Sequence, residues 1–386
     1  MELTGYRRPD GRVGIRNKVL ILPTCSCASK TCSMVAEQVE GAITFTNQNG
    51  CSQTKEDVQY TLDVLTGFAA NPNIYGTVVI GLGCEVCAAE RIYGLIRTRT
   101  NKPLEQVVIQ ESGGTIGAVA KAVEYARRMA EEASRVKREP IALSEIIFAT
   151  ECGGSDATSG LSANPTVGNV CDRVIEAGGT AILSETPEFI GAEHILSNRA
   201  ATPEIGSQIL RIVDRFENYM NILHTNLRDA NPAPGNIKGG ISTLEEKSLG
   251  CIYKGGKTAI TQVVDYAKEV TAKGLVVMDT PGNDTASLTA MAAGGAQIAA
   301  FTTGRGTPVG NPIMPVIKVT GNRETYRKMT CNMDFCTGAS IDGDETIEEV
   351  GVKLYDLILE VINGRKTKAE TLFMDDIAIA RFCNYT

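Results

Sequence analysis

Thiols, carboxylates and a guanidinium recur beside glycines along this sequence. Gly83-Cys84-Glu85, Glu151-Cys152-Gly153-Gly154-Ser155-Asp156, Glu185-Thr186-Pro187-Glu188, Asp279-Thr280-Pro281-Gly282-Asn283-Asp284 and Thr303-Gly304-Arg305-Gly306 share this character. Glycines and polar residues make turns, but turn-making gives no reason for Cys or Glu. These side chains suit metal ligation, proton transfer and carboxylate binding. Gly113-Gly114-Thr115 and Gly153-Gly154-Ser155 open onto helical patterns, where exposed backbone N–H groups attract an anion. Arg305, between Gly304 and Gly306, can clamp a carboxylate with two parallel hydrogen bonds. No P-loop spacing is present, and no GxGxxG follows the first strand, which argues against a dinucleotide enzyme. Of the two histidines, His194 lies shortly after a strand and His224 at a helix end; a lone histidine is more often structural than catalytic.

Elements must hold these residues in place. Short apolar runs rich in β-branched residues precede nearly every motif: 18–23, 76–81, 106–110, 145–150, 180–184, 274–278 and 297–301, with a weaker one at 315–319. Helical patterns cover 115–136, 169–177, 204–221, 259–271 and 346–363. Strands alternating with helices predict an α/β protein made of two Rossmann-like domains with mainly parallel sheets. The charged stretch 127–139 ahead of Pro140 marks the boundary, giving an N-terminal domain over 1–141 and a C-terminal catalytic domain over 142–386. Residues 228–253, with Asn231-Pro232-Ala233-Pro234-Gly235-Asn236, read as a long functional loop. Ligands of open parallel sheets bind beyond the carboxyl ends of the strands, where the motifs lie.

Composition narrows the classes. Hydrophobic residues at 43% and charged residues at 22% are ordinary for a globular protein and exclude disorder. No apolar run nears the roughly 20 residues that cross a bilayer. The start, Met1-Glu2-Leu3-Thr4-Gly5-Tyr6, lacks the pattern of a secretory signal, so a cytoplasmic location is expected. A net charge of -7 argues against nucleic acid as a partner. Twelve cysteines in a reducing compartment are expected to stay free or to bind metal. Cys84-Glu85-Val86-Cys87 alone is a weak signal.

Several runs in order carry a family resemblance: Gly5-Tyr6-Arg7-Arg8-Pro9-Asp10-Gly11-Arg12-Val13-Gly14-Ile15-Arg16-Asn17, Gly81-Leu82-Gly83-Cys84-Glu85, Cys152-Gly153-Gly154-Ser155-Asp156, Ala163-Asn164-Pro165, Leu183-Ser184-Glu185-Thr186-Pro187-Glu188, Glu246-Lys247-Ser248-Leu249-Gly250, Met278-Asp279-Thr280-Pro281-Gly282 and Phe301-Thr302-Thr303-Gly304-Arg305-Gly306. They resemble the altronate and galactarate dehydratase family, which also includes the large subunit of sulfolactate sulfo-lyase. The resemblance implies β-elimination from a small hydroxy acid, helped by iron or manganese. Family enzymes often carry a small SAF-type domain before the segment that corresponds to Gly5-Tyr6. A separate small SAF-type subunit, and an oligomer, are therefore expected. Extra cysteines at Cys25, Cys32 and Cys87 depart from the family pattern and point to a thiolate-rich metal site.

Elimination beside a carboxylate needs a base, stabilisation of the enediolate and help for the leaving group. The expected metal site gathers Cys51, Cys84 and Cys152 around iron, as a mononuclear ion or an iron–sulfur cluster, with Cys27 and Cys336 in reserve. Glu85 is expected to be a metal ligand or to support one. Ser155, Asp156, Asn164 and Arg305 are expected to hold the substrate. The base is open among His194, Glu185, Lys247 and a group from the partner subunit. Alternatives to water loss are release of sulfite from a sulfo-hydroxy acid and, outside catalysis, a metal- or redox-sensing binding protein.

Overall fold

Buried β-branched runs set the frame. The structure, a computed structural model, describes residues 2–383. Lys18–Pro23 (β1), Ala42–Ile43 (β2), Ile74–Gly81 (β3) and Leu104–Val108 (β4) pair in parallel in the order β2-β1-β3-β4. Four helices follow these strands: Ser26–Ala36 (α1), Lys55–Ala70 (α2), Ala89–Arg99 (α3) and Thr115–Arg135 (α4). Val19 and Ile21 of β1 face α1 and α4, whereas Leu20 and Leu22 face α2 and α3. Both faces of the strand are thus covered, which is why its run is apolar without alternation.

A second parallel sheet has seven strands: Ile147–Cys152 (β5), Thr180–Leu183 (β6), Ile260–Val264 (β7), Gly274–Met278 (β8), Ile298–Thr302 (β9), Val316–Thr320 (β10) and Phe335–Cys336 (β11). Their order is β7-β8-β6-β5-β9-β10-β11. The chain leaves β5 toward β6 on one side and leaves β9 toward β10 on the other. This makes the β5/β9 crevice the switch point at which ligands of open sheets bind. The helices used below are Asn164–Glu176 (α5), Glu193–Asn198 (α6), Pro203–Ile222 (α7), Leu244–Cys251 (α8), Asp284–Ala293 (α9) and Ile347–Ile362 (α10). Helices α5, α7 and α10 pack on one face of the large sheet. Helix α9 packs on the other, where it also meets α2. Gly67 near the end of α2 rests against Ala293 at the end of α9, and Tyr266 links their starts by stacking on Tyr60 and donating to the Ala286 carbonyl. The two helices therefore run side by side in the same sense, in a core that draws on both sheets.

Two expected elements are corrected. The stretch 259–271 is not a helix: Ile260–Val264 forms edge strand β7 beside β8, followed by turns. Its Ile-Thr-Gln-Val-Val run is β-branched, as a strand prefers. The stretch 228–253 is not one long loop but carries the short helices Leu227–Ala230 and Pro234–Lys238 and then α8. Each starts at a residue that favours helix initiation. Asn226 and Thr243 accept backbone N–H groups, and Pro234 occupies a first helical position. Among the described residues no helix is long and apolar enough to cross a membrane.

Candidate functional site

Strand β5 delivers Glu151 and Cys152 to the switch point, and pleating sends their side chains to opposite faces. Glu151 Oε2 accepts the Ser287 hydroxyl at 2.6 Å and the Ser184 hydroxyl at 3.3 Å. The Cys152 backbone N–H donates to Glu185 Oε2 at 3.0 Å. Glu185 follows β6 in a left-handed conformation, φ 75°, a cost that a non-glycine residue accepts where its side chain must be aimed. Its N–H is held by Thr280 Oγ1 at 2.8 Å. Lys254, fully buried, donates to Glu185 Oε2 and to Cys251 Sγ, each at 2.7 Å.

Cys152 Sγ lies 2.8 Å from Ser155 Oγ, and the Asn164 amide reaches it at 3.7 Å. Asn164 opens α5, donates to the Gly250 carbonyl at 3.0 Å and accepts Thr302 Oγ1 at 2.6 Å, so β9, α5 and α8 are joined at one side chain. The turn ahead of α5, Ser159–Ala163, is π-helical, an irregularity often found where function requires it. Lys247 of α8 donates to Glu188 Oε1 at 2.7 Å and to Asn231 Oδ1 at 2.9 Å. A cavity of about 260 Å³ opens beside these groups, lined by Ser155, Asp156, Asn164, Lys247, Gly250 and Tyr253. A larger cleft of about 580 Å³, lined by Tyr6, Gln38, Arg127 and Ser134, contains none of them.

Burial and close charges redistribute protons here. The hydrogen bond from Cys251 lowers the Cys152 thiol to about 5 against the opposing effect of burial, with help from Lys254 and Ser155. Cys251 is pushed well up by that same bond, so the pair shares one negative charge, carried by Cys152. Lys254 bonds the Cys251 sulfur, while the Cys251 thiol, the Ser155 hydroxyl and the Asn164 amide face Cys152. Burial raises Glu185 to about 8, only partly offset by Lys254, and raises Asp284 to about 6, with the Cys152 charge adding to the rise. Glu151 is also pushed well above the usual carboxylate range, by burial and then by Glu185. Burial opposes the charge on Lys254, but the anions around it win and keep it protonated.

Seven residues expected from the sequence meet in this region: Cys152, Ser155, Asp156, Asn164, Glu185, Lys247 and, at its edge, Arg305. The Arg305 N–H bonds the Gly154 carbonyl at 2.9 Å, while its exposed guanidinium has no protein partner among the described residues. Asp156 lines the cavity, but its carboxylate is taken by Thr158, Ser159 and Asn322, so it shapes the loop. Cys51, Cys84 and Glu85 lie at the carboxyl edge of the four-stranded sheet. Glu85 is occupied there by the Thr24 hydroxyl and by the N–H groups of Leu82 and Gly83. His194 is exposed on α6.

Among the described residues, the group of three possible ligands with atoms within 4.8 Å of one another is Glu151, Glu185 and Asp284, not the three cysteines. One oxygen each of Glu151 and Glu185 is buried without a hydrogen-bond partner. Crowded carboxylates with orphaned oxygens fit a hard divalent cation of the manganese or ferrous class.

Two family models cover the chain: D-galactarate/altronate dehydratase, C-terminal, over residues 143–384, and D-galactarate dehydratase/altronate hydrolase, second domain, over residues 5–134. The chain belongs to the D-galactarate/altronate dehydratase family. This dehydratase-family chain is 36% identical over 385 residues to altronate dehydratase of Bacillus subtilis, covering 97% of the chain and 76% of that protein. It is 36% identical over 379 residues to (2R)-sulfolactate sulfo-lyase subunit beta of Chromohalobacter salexigens, covering 98% and 96%. It is 35% identical over 381 residues to galactarate dehydratase (L-threo-forming) of Escherichia coli, covering 94% and 73%. Dehydratases are hydro-lyases, and the family chain is an enzyme of that class.

Sequence reasoning assigned no role to Lys254 or Cys251, and it placed Glu151, Glu188 and Asp284 at strand ends without giving them one. No sequence signal marks Lys254: Tyr253 beside it is exposed, and only the fold brings its ammonium to Glu185.

Proposed function

We propose that the protein catalyses β-elimination of water from a sugar-acid-like hydroxy carboxylate in the cavity beside Cys152. The supporting observation is a pair of neighbouring groups driven in opposite directions, a Cys152 thiol at about 5 and a Glu185 carboxyl at about 8. Near neutral pH one accepts a proton while the other holds one, the division of labour that elimination needs. Ser155 Oγ lines the cavity and touches Cys152 Sγ, so the proton on the carbon beside the substrate carboxylate passes through this hydroxyl to the thiolate. Lys247 on the cavity wall and the unpaired Arg305 at its edge counter the carboxylate and the enediolate that develops from it. Glu185 supplies the proton for the departing hydroxyl. Iron or manganese would be held by Glu151, Glu185 and Asp284; with a cation bound Glu185 carries no proton, and the cation supplies Lewis-acid polarisation of an oxygen in that proton's place.

The test is turnover of altronate, galactarate and related acids to a 2-oxo acid, with ferrous iron or manganese added. Folded protein that converts none of them, with its partner chain present, would exclude the assignment. A second reading follows from the sulfo-lyase subunit beta, which at 36% identity is as similar to this chain as altronate dehydratase. The same elimination would then expel sulfite, and sulfite release from sulfolactate separates the two. Because that relative is named as a subunit, we also infer a small partner chain, of the SAF type, for this protein.

A further inference from the structure

The carboxyl edge of the four-stranded sheet carries a second group of side chains that the elimination does not use. Five of the cysteines are exposed: Cys27, Cys51, Cys84, Cys331 and Cys383. The first three lie in the segments that follow β1, β2 and β3, which are adjacent strands of one parallel sheet. Backbone contacts pin these segments together. The Cys87 N–H donates to the Gly50 carbonyl at 2.9 Å, which ties the Cys84 turn to the Cys51 turn. Gly50 packs so closely on Thr24 that a Cβ at position 50 would overlap the Thr24 carbonyl oxygen, which ties the Cys51 turn to the start of α1. Thr24 Oγ1 closes the circuit by donating to Glu85 Oε1 at 2.6 Å.

A helix N-terminus also opens at this edge. Helix α1 begins with no side-chain cap and no acidic residue in its first turn, and Cys27 lies in that turn. Helix α4, which follows β4 in the same sheet, begins in the same uncapped way at Gly114.

We propose that Cys27, Cys51 and Cys84 hold an iron–sulfur cluster through three thiolates, leaving one iron open to a small oxygen ligand. A single tetrahedral ion, bonded to each sulfur at about 2.3 Å, draws its thiolates to within about 4 Å of one another. Among the described residues no three thiols lie within 4.8 Å of one another. In a cluster each thiolate binds its own iron, so a wider cup is accommodated. Soft donors select iron–sulfur chemistry here, while the hard Glu151, Glu185 and Asp284 set at the other sheet selects an oxygen-loving cation. The assignment does not depend on the hydro-lyase reading, and activity is not its readout.

The full chain, reconstituted without oxygen using ferrous iron and sulfide, should develop a broad visible charge-transfer band and retain acid-labile sulfide after desalting. Cys27→Ser, Cys51→Ser and Cys84→Ser should each lose the band and most of the sulfide, with circular dichroism unchanged. Cys331→Ser, at an exposed thiol elsewhere, should keep both, and Glu185→Gln should keep the cluster while losing manganese binding. The proposal is overturned if the wild-type chain, shown to be folded, retains no sulfide, or if the triple serine variant assembles the cluster as the wild type does.

Discussion

A thiolate buried at the end of β5 needs a cation close by, and Lys254 is that cation. Its ammonium bonds Glu185 and Cys251 and lies within the field of Cys152, so one positive and one negative charge balance while the Glu151 and Glu185 carboxyls hold protons. Lys254→Met leaves that anion uncompensated. It should raise the proton affinity of Cys152, read as thiolate ultraviolet absorbance against pH, and should cost about 3–5 kcal/mol in unfolding experiments. The same groups set the pH profile. Cys152 must be ionised, so kcat/KM should climb as pH rises through about 5. Without a bound cation Glu185 must be protonated, so the rate should fall again as pH rises through about 8. Cys152→Ser, whose hydroxyl stays protonated throughout, should lose at least about 100-fold in kcat, the scale of one acid–base group. A rate that is flat across both limbs would remove this pair from the chemistry. Arg305→Lys keeps the charge but loses the forked geometry, so kcat/KM should drop by roughly tenfold on the scale of one charge-assisted bond. Unchanged kinetics would take Arg305 out of the site.

Elements bring these residues together, and they differ in how far the sequence disclosed them. Every strand that ends at the site, β5, β6, β8 and β9, was visible as a β-branched run, because a strand covered on both faces has few polar options. Cys152 and Glu185 drew notice in the sequence because they sit at strand ends, where turn chemistry does not explain a thiol or a carboxylate, whereas Asn164, at the start of α5, stood out only through the family resemblance. Strand β7 was missed because Gln262 interrupts its run and the polar residues beyond it imitate a helical repeat. Lys254 was hidden because it arrives from a turn 69 residues after its partner Glu185, and only packing reveals the meeting. That packing depends on Gly168 in α5, where a Cβ would overlap the Tyr253 carbonyl oxygen. Gly168→Ala should therefore displace the turn that carries Lys254. The expected result is a loss of about 1–3 kcal/mol in stability and a lowered kcat, checked by thermal unfolding and steady-state kinetics. Gly235→Ala, at an exposed position with nothing within 4 Å of the added Cβ, is the control that should change neither strongly.

At the scale of the whole molecule, α2 and α9 lock the two sheets into one core, so motion between the sheets has no free hinge at that seam. The cavity beside Cys152 nevertheless opens outward. Around its mouth Leu161 is 71% exposed, Tyr253 56% and Leu249 43%, and together they form an apolar rim around polar chemistry. Elimination through an enediolate gains from excluding water, because charge interactions strengthen in a dry site. A small partner chain seated on this rim would provide that closure, in keeping with the sulfo-lyase relative that is itself a subunit. The chain alone should then turn over slowly, and titration with the small subunit should raise kcat at least tenfold to a plateau at one partner per chain. Leu161→Ser and Tyr253→Ser should shift that titration to higher partner concentration while leaving the plateau near the wild-type value. Both side chains are largely exposed, so neither change should unfold the protein. Titrations identical to wild type would place the partner on another face, and full activity without any partner would show that the chain closes its own site.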